Sequence, residues 1–425
     1  MSILAVNCGS STLKFKLIEV SNGGLGRERQ IAGGKVERIG GDLSTVHFSA
    51  EDGTAVRRPA SVRGHEEAMR LVLDWLEAAE LVGPEGPEAV GHRIVHGADR
   101  FSEPAFIGDD VVAVIEDLGD LAPLHNRPSL AAVRAARKSL GLSVPMVAVF
   151  DTAFHRTLPE HASRYAIPRG LADTHRIRRY GFHGTAHRYM VERYATIMRT
   201  PVEQANLITL QLGNGCSVAA IRGGLSVDTS MGFTPLEGLM MGTRSGDTDP
   251  SLVGFLARKE GVDAAEVEGW LNTRSGLLGV SGTSRDMREL LEAESRGDGD
   301  ASLAIDMFCY RARKYVGSYL AVLGGADAVV FGGGIGENAP EVRARICEGM
   351  NWCGLALDAE RNASAVGSEA RISAGGSSTR AYVIPVDEEA MIVRDTVRCL
   401  RREQTVTARE RQTSPKRTER EWHGG

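Results

Sequence analysis

Three glycine-rich turns, each following an apolar run, are the first residues in this chain that could do chemistry: NCGSSTLK (7–14), QLGNGCS (211–217) and FGGGIGEN (331–338). Main-chain N–H groups at such turns, joined by Ser and Thr hydroxyls and one Lys, suit a polyphosphate, because glycine lets the backbone approach anionic oxygens. One such loop reads equally well as a hairpin turn; three point to a nucleotide. The P-loop pattern G-x-x-x-x-G-K-[ST] is absent, and the late FGGGIGE has its third glycine too early for a dinucleotide fingerprint. Ser11-Thr12-Leu13-Lys14 spells S-x-x-K, but that motif needs a helix, and the alternation here is strand-like with no K-T-G downstream.

A second chemistry is concentrated mid-chain. GHRIVHGADRF (91–101), FDTAFH (150–155), YGFHGTAH (180–187) and DTSMGFTPLEGLMMGTRSGDTDP (228–250) interleave charges and glycines with Phe, Met and Pro. Such segments suit a closed, mostly apolar cleft with a few convergent polar groups. Arg93 and Arg244 could each grip a carboxylate or phosphoryl oxygen with two N–H groups, although either in isolation reads as a structural arginine. His92/His96 and His183/His187 have i, i+4 spacing, but no carboxylate stands at H-E-x-x-H spacing, which favours hydrogen-bonded histidines over zinc ligands. Asn7, Asp151 and Glu388 are candidates for a Mg²⁺ shell, since Mg²⁺ keeps most of its waters and takes few protein oxygens. An acid at 388 also fits the first turn of a helix, where it complements the dipole.

The elements that must position these groups follow from periodicity. Residues 3–20 read as a buried strand, a polar tip and an alternating strand. Shifted by 204 positions, LITLQLGNGCSVAAI (207–221) overlays them: Ile3 to Val6 on Leu207 to Leu210, Gly9 on Gly213, Leu17 on Ile221. This internal match predicts two related lobes. Helical patterns at 65–80, 128–140 and 302–325 alternate with short apolar runs at 144–151 and 326–338, an α/β signature. The expected division is an N-terminal lobe at 1–150, completed by a helix at about 386–400, and a C-terminal lobe at 151–385. Residues 401–425, charged and nearly devoid of apolar side chains, read as a disordered tail.

Composition narrows the partners. Fifty glycines in 425 residues, without a collagen period, must sit at specific turns, and a net charge of -5 offers no field for nucleic acid or an anionic membrane. No apolar run is long enough for a bilayer span and the first residues lack a leader pattern, so a cytoplasmic protein with reduced cysteines is expected.

Taken together, NCGSSTLKFKL, GHRIVHG, LAPLHNRPSL, FDTAFH, YGFHGTAHRY, LGNGCS, DTSMGFTPLEGLMMGTRSGDTDPS, GGIGEN and EEAMIVRDT resemble the acetate kinase family, in order and over about residues 1–400. The resemblance implies an α/β fold of two duplicated actin-like (RNase H-like) lobes around a nucleotide cleft, a homodimer, and phosphoryl transfer between ATP and acetate to give acetyl phosphate and ADP. It places Asn7 and Glu388 at Mg²⁺ (with Mn²⁺ as the alternative ion). Ser10, Thr12 and Lys14 fall at the phosphates, Thr12 standing where the family has Ser. Arg93 takes the acetate carboxylate, Val95, Leu124, Phe182 and Pro235 surround its methyl group, and Asp151, His183 and Arg244 are the catalytic residues. The nucleotide is expected along Gln211, Leu212, Gly213, Asn214 and Gly215, then Asp286, Met287 and Arg288, then Gly334, Ile335, Gly336, Glu337 and Asn338. Two departures stand out: Gln211 replaces a usual His, and Val386-Asp387 replaces Thr-Asn. The alternatives are a propionate or butyrate kinase of the same family and an actin-like ATPase that phosphorylates no small acid.

Overall fold

The computed structural model describes residues 1–21, 28–120 and 123–413, without the side chains of residues 120, 123–125 and 404–413. Two mixed sheets carry the chain. The first contains β1 (Ser2–Cys8), β2 (Thr12–Val20), β3 (Glu28–Glu37), β4 (Ser44–Ala50), β5 (Ala55–Ala60), β6 (Ala89–Ile94), β7 (Ala105–Phe106) and β8 (Met146–Phe150), in the order β5-β4-β3-β2-β1-β6-β8-β7. The second contains β9 (Leu207–Leu212), β10 (Cys216–Arg222), β11 (Leu225–Thr229), β12 (Ala328–Gly332), β13 (Ala370–Arg371) and β14 (Arg380–Val383), in the order β11-β10-β9-β12-β14-β13.

The two sheets share one topology. In each, three sequential strands form an antiparallel meander (β1-β2-β3 and β9-β10-β11). The first strand of each meander then pairs in parallel with later strands, β1 with β6 and β6 with β8, β9 with β12 and β12 with β14. A short antiparallel edge strand ends both sheets. The internal match at 204 positions is therefore a duplication, with one correction. Ile3 pairs with Ile18, whereas its counterpart Leu207 pairs with Ile221, so Ile221 corresponds to Ile18 and not to Leu17. The second hairpin has a tip one residue shorter, and the overlay slips by one beyond the turn.

The odd-numbered face of β1, Ile3 and Ala5, packs with Val147 and Val149 of β8 against Ile392, Val393 and Val397 of the last helix, Glu388–Thr413. Those three positions recur at helical spacing and form one stripe. The chain's last helix thus covers the first sheet, while the helix Gly184–Met198 covers the equivalent face of the second through Met190, Val191 and Tyr194. The final helix does not stop at 400 but continues to Thr413, since its Arg, Glu and Gln residues are good helix formers and Arg402 pairs with Glu103. The remainder of the expected tail, 414–425, lies outside the described residues.

Gly91 on β6 is where the last helix comes closest. A methyl group there would meet Thr396 Oγ1 at 2.3 Å and Ile392 Cγ2 at 2.6 Å. Gly91→Ala is therefore expected to push this helix off the sheet and lower stability by roughly 1–3 kcal/mol, the range for overpacked cores. The urea midpoint measures it, and an unchanged midpoint would contradict this docking.

Candidate functional site

Parallel register sets the site. Asn7 lies directly opposite Arg93 on the neighbouring strand, and Asp151 follows β8 immediately after Phe150, which pairs with Ile94. All three therefore emerge at the carboxyl ends of parallel strands, where open α/β sheets bind ligands. They also lie on the helix-covered face, so the first turn of the helix Glu388–Thr413 reaches the same point.

Arg93 Nε donates to Asp151 Oδ2 at 3.0 Å, its Nη2 donates to the same oxygen, and its Nη1 donates to Asn7 Oδ1 at 3.0 Å. Asn7 Nδ2 in turn donates to Glu388 Oε2 at 2.8 Å and to Glu389 Oε1 at 3.1 Å. Thr185 Oγ1 donates to the other Asp151 oxygen at 2.9 Å. Asp151 is fully buried and the Arg93 side chain is 11% exposed. Burial works against both charges, but each outweighs the other's penalty: Arg93, helped by the Thr185 hydrogen bond, holds Asp151 below the usual carboxylate range, and Asp151, Glu388 and Glu389 hold Arg93 above its ordinary value. For Glu389, burial and the neighbouring Glu388 charge win over Lys14 and Asn7, and its carboxyl is pushed up.

The second lobe contributes His183 and Arg244. His183 stands at the amino end of the helix Gly184–Met198 with φ 58°, a left-handed conformation that costs a non-glycine residue energy and is characteristic of functional sites. Its Nδ1 is 2.8 Å from Ser217 Oγ on β10. Burial lowers its pKa to about 4, with the charges of Arg93 and Arg244 acting in the same direction and Asp151 opposing them. Arg244 Nη1 donates to the Pro235 carbonyl at 3.1 Å, and burial lowers its pKa too. At the β9-β10 tip, a Cβ on Gly215 would lie 3.4 Å from His183 Nε2 and 3.6 Å from Arg244 Nη1. The second glycine turn, His183 and Arg244 therefore meet at one point.

The other expected residues sort by position. Val95 and Phe182 are buried together in the second lobe's main core cluster with Met231, and Pro235 is buried beside Arg244; the Leu124 side chain lies outside the described residues. Ser10 and Lys14 are exposed at the first tip, with Thr12 partly buried. Leu212 and Met287 point into the core. Gly213 and Asn214 form the tip beside Gly215, and Gln211 lies on β9 opposite Ser217. Asp286 caps the helix Met287–Ser295 and pairs with Arg288 at 2.7 Å; among the described residues no hydrogen bond or ion pair links either to the Arg93 cluster. In the third turn, Gly334 to Asn338 lie in the short helix Gly333–Asn338, in which Ile335 packs on the core and Gly336 is buried. Glu337 Oε1 there accepts from Gly333 N at 2.8 Å and Val386 N at 3.0 Å, tying this turn to the segment that leads into Glu388.

Of the two departures, Asp387 is directed away from the site: its Oδ2 pairs with Lys16 Nζ at 2.6 Å and its Oδ1 accepts from Ala390 N at 2.9 Å, capping the last helix. Among the described residues neither histidine pair is joined by a third ligand. His187 directs both ring nitrogens to hydroxyls, His96 Nδ1 accepts from Ala98 N, and among the described residues no group of three His, Cys, Asp or Glu is placed to hold an ion. Glu389, Thr185 and Ser217 were not identified from the sequence. Glu389 is the second acid of the pair that opens the last helix, and Thr185 lies two residues after His183, so proximity to expected residues was their one signal.

Duplicated lobes with oxygen donors and an arginine on one side, and a glycine tip, histidine and second arginine on the other, define a two-lobed α/β kinase. The chain belongs to the acetokinase family, whose model matches residues 2–394. It is 52% identical to the acetate kinase of Solibacter usitatus, over 94% of this chain and 98% of that protein. Among solved structures it superimposes on Porphyromonas gingivalis acetate kinase with a TM-score of 0.85 at 42% identity, covering 94% of this chain and 99% of the other. It superimposes equally on a propionate kinase from Francisella tularensis, TM-score 0.85 at 39% identity, covering 93% and 98%.

Asp151→Asn leaves Arg93 buried without its counter-charge and is expected to cost roughly 3–5 kcal/mol at neutral pH. Because the folded carboxyl is depressed, this stabilisation is fully present above the unfolded value of about 4 and is lost as pH falls through the lower folded value. Urea unfolding of both proteins at pH 7 and in acid tests this; a gap that fails to narrow in acid would assign the loss to something other than the ion pair.

Proposed function

We propose that the chain transfers the ATP γ-phosphoryl group reversibly to acetate, giving acetyl phosphate and ADP by in-line displacement. The observation that carries this reading is the meeting of Arg93 and Asp151 from one lobe with His183 and Arg244 from the other, beside the apolar pair Val95 and Phe182. Arg93 orients the acetate carboxylate and the apolar pair takes its methyl group. The acceptor is already ionised at neutral pH, so one of its oxygens attacks the γ-phosphorus without a general base while the bond to the β–γ bridging oxygen breaks. Catalysis then reduces to positioning and to neutralising charge on the equatorial oxygens. Arg244 and His183 donate to those oxygens, Asp151 fixes Arg93, and the main chain at Gly213 to Gly215 approaches the phosphates. Ser10, Thr12 and Lys14 offer further donors from the first tip. Gln211 contributes a neutral amide where the family has His. Burial pushes the Cys8 and Cys216 thiols up to about 12, which leaves these two poor nucleophiles.

Asn7, Glu388 and Glu389 fit a hard divalent cation. Their donors are oxygens, too few for an all-protein cage, as Mg²⁺ with its waters and phosphate ligands requires. Burial and, after it, the Glu388 charge raise Glu389, and a cation would offset both. Mg²⁺ bound there supplies charge neutralisation for the phosphates. Exposed Leu252 and Phe255 on the helix Ser251–Glu260, with Leu303 and Tyr310 on the helix Gly299–Leu323, support a homodimer. No helix among the described residues is long and apolar enough to cross a membrane, in keeping with a cytoplasmic enzyme.

One methylene is worth about 1–3 kcal/mol of discrimination, so acetate is expected to be turned over fastest, with measurable use of propionate. Incubation with MgATP, hydroxylamine and acetate, propionate or butyrate, followed by acyl hydroxamate detection, tests the reading; no hydroxamate from any acid would overturn it. Arg244→Ala is expected to lower kcat by about 10³-fold, as loss of an arginine finger does in other phosphoryl transferases. Turnover near that of the native protein would remove Arg244 from the reaction.

A further inference from the structure

Behind His183 runs a chain of three side chains that the reaction as described does not use. His183 Nδ1 is 2.8 Å from Ser217 Oγ, Ser217 Oγ is 2.8 Å from His187 Nε2, and His187 Nδ1 is 2.7 Å from Thr209 Oγ1. Ser217, His187 and Thr209 are each 0% exposed. Among the described residues the Thr209 hydroxyl has no other side-chain or main-chain hydrogen-bond partner. This closed set has a determinate direction, because each neutral imidazole carries one N–H and each hydroxyl one O–H.

If His183 Nδ1–H donates to Ser217, then Ser217 donates to His187 Nε2, His187 Nδ1–H donates to Thr209, and the Thr209 proton is left buried with no acceptor. If both imidazoles donate to Ser217, the Ser217 proton is the one stranded. A single arrangement uses every hydrogen: Thr209 O–H to His187 Nδ1, His187 Nε2–H to Ser217 Oγ, Ser217 O–H to His183 Nδ1. An unmade buried donor is costly enough to bias the alternatives by roughly five- to a hundredfold in population.

We propose that Thr209, His187 and Ser217 form a one-way hydrogen-bond relay that holds His183 as the neutral Nε2–H tautomer, so that it presents a hydrogen-bond donor toward Gly215 and Arg244 without carrying charge. The three are positioning residues for His183. Burial supports neutrality at both rings, lowering His183 to about 4 and His187 well below its ordinary value. Neutrality has a purpose here: a cationic imidazole between Arg93 and Arg244 would be repelled by both, whereas an N–H dipole can still donate to a phosphoryl oxygen. His155 is not part of the relay. Its Nε2 faces the Phe182 carbonyl at 3.0 Å, which can only accept, and its Nδ1 faces Ser226 Oγ at 2.8 Å. Its tautomer is therefore fixed independently.

The inference rests on His183 acting in phosphoryl transfer, but its test does not depend on turnover. Long-range ¹H–¹⁵N spectra of the full-length protein labelled at histidine nitrogens, taken at pH 7, are expected to show His183 and His187 each as the Nε2–H tautomer, with His155 as the internal reference. His183 found as Nδ1–H, as a mixture, or as imidazolium would overturn the relay. Thr209→Val removes the terminal donor with little change in shape. His187 Nδ1 is then unsatisfied whether or not it carries the proton, so the variant is expected to give mixed tautomers at His183 and a roughly two- to fivefold loss of kcat at nearly unchanged KM, the scale set by losing that bias. Thr209→Ser is expected to restore both the single tautomer and kcat. A single Nε2–H tautomer persisting in a folded Thr209→Val protein would remove Thr209 from the relay. Should that variant fail to fold, the native spectra and Thr209→Ser still decide. Absence of turnover in the native protein with every short acid would count against the proposed reaction and leave the tautomer result standing.

Discussion

The Arg93–Asp151 ion pair is the constraint on which the rest of the site depends. Removing two charges from water costs several kcal/mol each, and the loss is recovered only where geometry is good and the remaining donors are satisfied. Here Asp151 accepts from Arg93 on one oxygen and Thr185 on the other, and Asn7 takes a third guanidinium hydrogen bond. Each partner comes from a different element: β1, β6, the turn after β8, and the helix Gly184–Met198. The pair therefore forms only when the parallel register is correct and the second lobe's helix has docked. A slip of one residue at β6 would turn Arg93 to the opposite face, among the apolar residues of the first core.

The same pair links the lobes to the chain terminus. Asn7 shares its amide between Arg93 and the two acids that open the last helix, so the segment after residue 385 is held by the first strand. Glu337 holds that segment from the other side through Val386 N, while also closing the third glycine turn through Gly333 N. Glu388 is thereby joined to Arg93 through the one Asn7 side chain.

Much of this was legible in the sequence, and the limits have physical causes. The hairpins, the duplication and the helices over 65–78 and 299–323 are visible because apolar periodicity is strong there. The strands over 28–60 are not, since β3 contains Gly33-Gly34 and β5 is mostly exposed, so neither shows a clean alternation. Gly34 itself is required by a neighbour: a Cβ there would lie 2.3 Å from the His47 carbonyl oxygen. Arg93, Asp151, His183 and Arg244 were found as residue types in Gly-rich apolar surroundings and through the family resemblance. The groups that hold them, Thr185, Ser217, Thr209 and Glu389, were not, because a buried hydroxyl or a second acid acquires its role from register and helix docking, which no local pattern encodes.

The duplication also shows how one topology was given two electrostatic roles. Asn7 on β1 faces Lys14 on β2, and the equivalent strands place Gln211 opposite Ser217. The tip shorter by one residue is what brings Ser217 to the position corresponding to Lys14. In the first lobe that position carries a cation that offsets Glu389. In the second lobe a cation there would stand against His183 and close to Arg244, where repulsion would oppose burial of both. A serine offers a hydroxyl instead, and β9 supplies Thr209 on the same face to orient His187 against it. The first lobe's half of the site is thus built around carboxylates paired with Arg93, and the second lobe's half around neutral hydroxyl and imidazole groups with one arginine.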